Sequence, residues 1–300
     1  GHVLVNVFKK SDSQDSKRLT PFQAVTIAIG GTVGVSNISG VATAIATGGP
    51  GSVFWLWVAA SLGMVIKMAE VTLAVYYRTT KPDGTFKGGP TYYMQKALGE
   101  ERKLGIWKPL AIIFGGGLMV VYFITIQNYT ISEAVGGTFN ISLIIPSAVV
   151  AACAYAIILG GLKKVGIIAS YLVPFMCIFY VACALFIIVS KISMVPDVFA
   201  MIFKGAFTTQ AAGGGFTGAT VAMAMRYGFA RSVFSNEAGW GTSPMIHSTA
   251  DTDHPVKQGL LGAFEVFVDT IIVCSMTAIV VLITGYWDSG LMGATLTLTA

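Results

Sequence analysis

The chain has 300 residues, of which 54% are hydrophobic and 11% charged, with a mean hydropathy of +0.73. Soluble domains carry about 25% charged residues, so this composition excludes a water-soluble globular protein and describes an all-α polytopic membrane protein whose partner is the lipid bilayer. A net charge of +5 would suit nucleic acid in a soluble chain, but in a membrane protein basic residues first report topology, and nucleic acid is set aside.

The first residue is Gly1 rather than Met, residues 2–8 read as the tail of an earlier apolar element, and the chain ends abruptly in LMGATLTLTA. The expectation is a chain truncated at both ends. Residues 9–18 are polar and basic, and Thr20 with Pro21 makes a cap and first helical residue. Leu19 to Ile66 is then 48 residues without a charge, far more than the roughly 20 that cross a bilayer once. Its centre, GGTVGVSNISG, is a poor helix: each glycine costs about 1 kcal/mol relative to Ala, and Ser36, Asn37 and Ser39 compete for the backbone. Apolar helix on both sides of unwinding glycine describes a broken transmembrane helix running to about residue 48. Backbone freed at that depth survives where it lines a cavity, and in transporters such breaks bind the solute and its coupling ion.

GGPG turns the chain into a second span over about 51–78. The 78–108 loop carries six lysines and arginines after Arg78 and the stretch GGPTYYMQKALG, which reads as a short surface helix. Further spans are expected at 109–132, 141–160 and 165–190, the last kinked at Pro174. Gly205 to Met225 is a second glycine-interrupted stretch (AAGGGFTGAT), followed by a polar segment at 231–258 and a final span over about 259–287. Counting crossings puts residues 9–18, the 78–108 loop, Lys163/Lys164 and the 231–258 segment on one side, which the positive-inside rule makes cytoplasmic. The protein is thus expected in the cell membrane, multi-pass. Cys153, Cys177, Cys183 and Cys274 lie in apolar runs without metal-type spacing and read as buried free thiols.

The order of glycine-broken helix, turn and carboxylate-bearing span (Glu70; Glu265 and Asp269) occurs twice. Five spans separate the two starts, so the second unit enters from the opposite face, as in an inverted repeat. One transporter domain is expected over 1–300, with a first repeat at about 19–190 and the start of a second at about 196–300.

The stretches VGVSNISGVATAIATGGPGSVFWLW, KMAEVTLAVYYR, GGPTYYM, RSVFSNEAGWG, HPVKQG and EVFVDT resemble the alanine/glycine:cation symporters, also called sodium:alanine symporters, over about 17–290. One departure is Ser36, where that family usually has glycine. The resemblance implies a leucine-transporter-type fold of five plus five inverted spans with two discontinuous helices and an extra N-terminal helix. It implies symport of a small neutral amino acid, alanine or glycine, driven by sodium or a proton, with no cofactor and no enzymatic activity. Carried over, Thr32, Gly34, Val35, Ser36 and Asn37 form the substrate segment, with the Val35 and Ser36 amides on the substrate carboxylate. The Gly30 and Val33 carbonyls lend oxygens to one sodium, and the Thr32 carbonyl with the Asn37 side chain to a second.

Beside these, Gly215, Phe216 and Thr217 of the second break are expected to form the opposite wall, with Phe216 as a lid. Close helix packing is the plainer use for such glycines. Gln127, polar in an apolar span, is the expected contact for the substrate ammonium or carboxylate, and Asp269 handles the cation, since acids inside membranes belong to ion paths. Lys67 and Glu70, three apart, could form an ion pair, and the resemblance implies that Glu70 orients the break. SNEAGWG at 235–241 reads as a structured turn and gate. An ion channel or a membrane-embedded enzyme are the competing classes. A channel would want rings of charge or carbonyl filters, and an enzyme a nucleophile–base set, neither of which stands out.

Overall fold

The computed structural model describes residues 18–123, 127–209 and 218–300. Thr20 caps the first helix, α1 (Pro21–Thr32), as expected. Its hydroxyl accepts from the Gln23 amide and the Gln23 side chain accepts from the Thr20 amide, both at 3.1 Å, with Pro21 pre-set for the first turn. After Val33 and Gly34 the chain restarts as α2 (Ser36–Gly48), whose first five residues form a π turn. The two are bent by 49° and together pass as one broken span. The break therefore falls where glycine and side-chain competition weaken the helix.

Gly49, at φ 75°, turns the chain into α3 (Ser52–Tyr76). A two-stranded antiparallel hairpin follows, β1 (Thr79–Thr80) with β2 (Phe86–Lys87), and then α4 (Pro90–Tyr93), which runs on as a π turn over Met94–Glu101. The hairpin was not expected, although Pro82-Asp83-Gly84 is a turn signal. Next come α5 (Trp107–Phe123), α6 (Gln127–Phe139), α7 (Ile144–Ile158) and α8 (Gly161–Ser190). Helix thus extends seven residues past the expected end at Ser132, and α8 starts four residues early and passes through Pro174. Beyond α9 (Val195–Phe207) and α10 (Val221–Asn236), short α11 (Thr242–His247) leads to α12 (Pro255–Thr284), π-helical over Phe267–Cys274, and to α13 (Gly293–Thr299). The second glycine break lies between α9 and α10, mostly outside the described residues.

Among the described residues, α3, the 107–139 run, α8 and α12 are each long and apolar enough to cross a membrane, and the α1–α2 pair makes a fifth. Large apolar side chains stay exposed along α5 to α8, with Ile112 at 73%, Tyr171 at 78% and Phe186 at 78%, a surface that suits lipid and not water. This also corrects the reading of the cysteines: all four are free, but Cys153 and Cys183 are exposed, Cys177 is intermediate and only Cys274 is buried. An apolar run in lipid need not face inward.

The core lies around the broken helix. Val41 and Ile45 of α2, Val53 and Leu56 of α3, Ile202 of α9, and Ile279 and Leu282 of α12 form one cluster. Val25 and Ile29 of α1 pack on Val173 of α8 with Leu261 and Val273 of α12 in a second. At one end, four expected same-side segments meet. The Arg18 and Arg78 guanidiniums both lie over the ring of Phe86 of the hairpin, 4.5 and 3.7 Å from its centre. Arg78 donates to the Ser248, Ala250 and Thr252 carbonyls, Arg18 pairs with Asp251 at 3.4 Å, and Lys163 donates to the Arg18 carbonyl.

Candidate functional site: a buried carboxylate at the helix break

The last turn of α1 leaves carbonyls without helical donors, and the first turn of α2 leaves amides without acceptors. The break puts both in one place. The Gly34 amide, which would otherwise continue α1, donates instead to Asn37 Oδ1 at 2.7 Å, and the Ser36 hydroxyl reaches toward the Thr32 carbonyl at 3.5 Å. Asn37 thereby pins the unwound segment with its own side chain. Gly30 and Gly31 are exposed, Gly34, Val35 and Ser36 half-buried, and Thr32, Val33 and Asn37 buried, so the segment opens on one side and is anchored on the other.

The anchor is Asp269. Asn37 Nδ2 donates to the Asp269 carboxylate at 2.7 Å, to the Asp269 carbonyl at 3.0 Å and toward Cys274 Sγ at 3.3 Å. The π turn of α12 helps, because its altered backbone pairing leaves the Asp269 carbonyl facing a neighbouring helix. The second carboxylate oxygen accepts from Ser235 Oγ at 2.8 Å and Thr270 Oγ1 at 2.7 Å. Asn37 and Asp269 are both fully buried, and among the described residues no lysine, arginine or histidine pairs with Asp269. A carboxylate taken from water without a positive partner is costly; its chemistry invites a cation. Asn37 turns its amide nitrogen toward that carboxylate and its oxygen toward the Gly34 amide. Among the described residues no group of three His, Cys, Asp or Glu has metal-holding geometry.

Glu265, one turn before Asp269, belongs to a separate network. Lys67 Nζ lies 3.4 Å from Glu265 and 3.9 Å from Glu70, and donates to the Glu237 carbonyl at 3.3 Å. Glu265 Oε2 accepts from Ser243 at 2.6 Å and meets His247 Nε2 at 3.3 Å, while His247 Nδ1 lies 2.6 Å from Gln258 Nε2. Lys67, His247, Gln258 and Glu265 are fully buried. Glu237, Gly239 and Gly241 all have positive φ, 52°, 85° and 81°, so the SNEAGWG segment is a structured turn, as expected.

Of the residues expected at the site, the structure brings together Thr32, Gly34, Ser36, Asn37 and Asp269. Gly30, Val33 and Val35 flank them on the same segment. Gln127 is exposed at the first residue of α6, and Gly215, Phe216 and Thr217 lie outside the described residues. Ser235 and the Lys67–Glu265–His247–Gln258 network were missed. One signal was present: Gln258, Gly262, Glu265 and Asp269 recur at helical spacing on one face of α12. A Cβ at Gly262 would lie 2.9 Å from Val71 Cγ2 and 3.2 Å from both Lys67 Cγ and the Lys67 carbonyl, so the glycine lets α3 and its lysine approach α12.

A family model described as the sodium:alanine symporter family matches residues 1–300. The chain belongs to that family. Sodium:alanine symporters are transporters, so the protein is not an enzyme, and with its apolar helices it is a multi-pass membrane protein. An uncharacterized transporter of Haemophilus influenzae is 43% identical over 300 residues, covering 98% of this chain and 64% of that protein. The sodium/alanine symporter AgcS of Methanococcus maripaludis is 38% identical over 288 residues, 95% of this chain and 62% of AgcS. The probable sodium/glutamine symporter GlnT of Bacillus subtilis is 38% identical over 296 residues, 98% and 60%. The chain thus spans less than two thirds of the length of these curated relatives.

Proposed function

We propose that the protein is a sodium-coupled symporter of a small neutral amino acid, alanine or glycine, working by alternating access within a leucine-transporter-type inverted repeat. The observation that carries the reading is the junction of a broken helix with a buried carboxylate that has neutral donors around it. In this reading sodium sits among Asn37, Asp269 and the carbonyls of Gly30, Thr32 and Val33. The substrate carboxylate takes the Val35 and Ser36 amides beside Thr32 and Gly34. Gly215, Phe216 and Thr217 complete the pocket, and the Arg18–Phe86–Arg78 end faces the cytoplasm. The likeness to a protein named as a sodium/alanine symporter supports the substrate and ion, and the small residues of the break support a small solute.

One backbone segment turns carbonyls toward the cation and amides toward the substrate, so each ligand stabilises the arrangement the other needs, and the coupling is reciprocal. Asn37→Ala removes a cation oxygen and the pin on the break together. It is expected to raise the half-saturating sodium concentration for alanine binding and to weaken alanine at fixed sodium. The measurement is titration calorimetry of alanine at several sodium concentrations with choline as substitute, using the full-length protein. Wild-type alanine binding that ignores sodium would sink the reading; unchanged sodium dependence in Asn37→Ala would remove Asn37 from the site.

A further inference from the structure

We propose that Ser235 is the positioning residue of the cation site: its hydroxyl holds the Asp269 carboxylate in the orientation that faces Asn37. The inference rests on the sodium-coupled reading above. Three elements meet at this one carboxylate. Asn37 on the broken helix takes one oxygen, and Ser235 on α10 and Thr270 take the other. Thr270 is the next residue in the chain and travels with Asp269, so it cannot fix the carboxylate relative to another helix. Among the described residues, Ser235 is the side chain on a separate helix that bonds the second oxygen.

The neighbourhood supports the assignment. Ser235 is 1% exposed, so its bond is shielded from competing water, and a hydroxyl donating to a carboxylate is among the stronger hydrogen bonds. The adjacent Asn236 Nδ2 reaches Thr270 Oγ1 at 3.4 Å, so α10 contacts the Asp269–Thr270 pair through two successive residues. The helix carrying them, Val221–Asn236, follows the second glycine-interrupted stretch. A cation bound at Asp269 would therefore act on the broken helix through Asn37 and on α10 through Ser235, and ion occupancy would reach both proposed walls of the substrate pocket.

The test is sodium-dependent uptake of labelled alanine into liposomes by the full-length protein, comparing wild type, Ser235→Ala and Ser235→Thr. Ser235→Ala is expected to raise the half-saturating sodium concentration about tenfold, the loss of roughly one hydrogen bond to a charged group, with the maximal rate at saturating sodium within about twofold of wild type. Ser235→Thr, which keeps the hydroxyl, returns most of the sodium affinity. A merely structural serine would lower the maximal rate at every sodium concentration without moving the midpoint, and that result overturns the proposal. So does an unchanged midpoint. If Ser235→Ala cannot be purified, the sodium midpoint of thermal stabilisation in Ser235→Cys reads the same bond: a raised midpoint supports it and an equal one overturns it. Wild-type uptake independent of sodium would defeat the coupling reading and this one together, whereas sodium-dependent wild type with Ser235→Ala alike defeats the positioning role alone.

Discussion

Lys67 is a fully buried charge within 4 Å of two carboxylates, Glu265 at 3.4 Å and Glu70 at 3.9 Å. Its four-carbon stem lies along α12 at Gly262, and its head is spent on Glu265, Glu70 and the Glu237 carbonyl. Removing one member of a buried pair leaves the other uncompensated, at a cost of about 3–5 kcal/mol, while replacing both by neutral groups of similar size is far milder. Lys67→Met should therefore lower the melting temperature in detergent strongly, and the double variant Lys67→Met with Glu265→Gln should recover most of the loss. Equal melting of Lys67→Met and wild type would show that the cluster contributes nothing to stability. Asp269 is the contrasting case: its hydrogen-bond donors among the described residues, Asn37, Ser235 and Thr270, are all neutral.

Helix packing around the site depends on glycines where backbones nearly touch. Gly228 of α10 lies against α3, and a Cβ there would collide with the Ser52 carbonyl and come within 2.8 Å of Trp55 Cβ. Backbone cannot give way as a flexible side chain can. Gly228→Ala should thus separate α3 from α10 and cost about 1–3 kcal/mol as overpacking, read as a lowered melting temperature. Because α10 also carries Ser235 and Asn236, the same change should weaken sodium binding beyond what the fall in stability explains. Gly31, with open space where its Cβ would be, is the control: Gly31→Ala should melt no lower than wild type. If Gly228→Ala and Gly31→Ala behave alike, close approach is not what the glycine at 228 serves.

For the whole molecule, the basic segments gather at one end. Arg18, Arg78, Lys96 and Lys163 meet there, where Asp251 donates its amide to the Leu19 carbonyl at 2.8 Å. That grouping agrees with the crossing count made from the sequence, and with the positive-inside rule it supports the proposal that this end is cytoplasmic. Single cysteines at Thr85→Cys in the hairpin and Gly137→Cys at the exposed end of α6, in a background without the four native cysteines, should label with an impermeant thiol reagent from opposite sides. Labelling of both from the same side would overturn the topology.

Much of this was legible in the residues themselves. The broken helix could be read because lipid offers no hydrogen bonds, so glycine and amide side chains in the middle of an apolar run carry meaning there that they lack in a soluble loop. The Thr20 cap, the Gly49 turn and the candidate status of Asp269 follow from local chemistry of that kind, whereas the role expected of Asn37 came with the family resemblance. Their partners do not. Asn37 and Asp269 are 232 residues apart, and helical periodicity says which face a residue is on, never which helix meets that face. Gln258, Glu265 and Asp269 share a face of α12, yet Glu265 goes to Lys67 and His247 while Asp269 goes to Asn37 and Ser235, a division set by where α3, α10 and the broken helix cross α12. The sequence by itself determined a membrane-embedded chain with a helix broken at Gly30–Asn37; only the tertiary structure decided that the break is tied to a buried carboxylate.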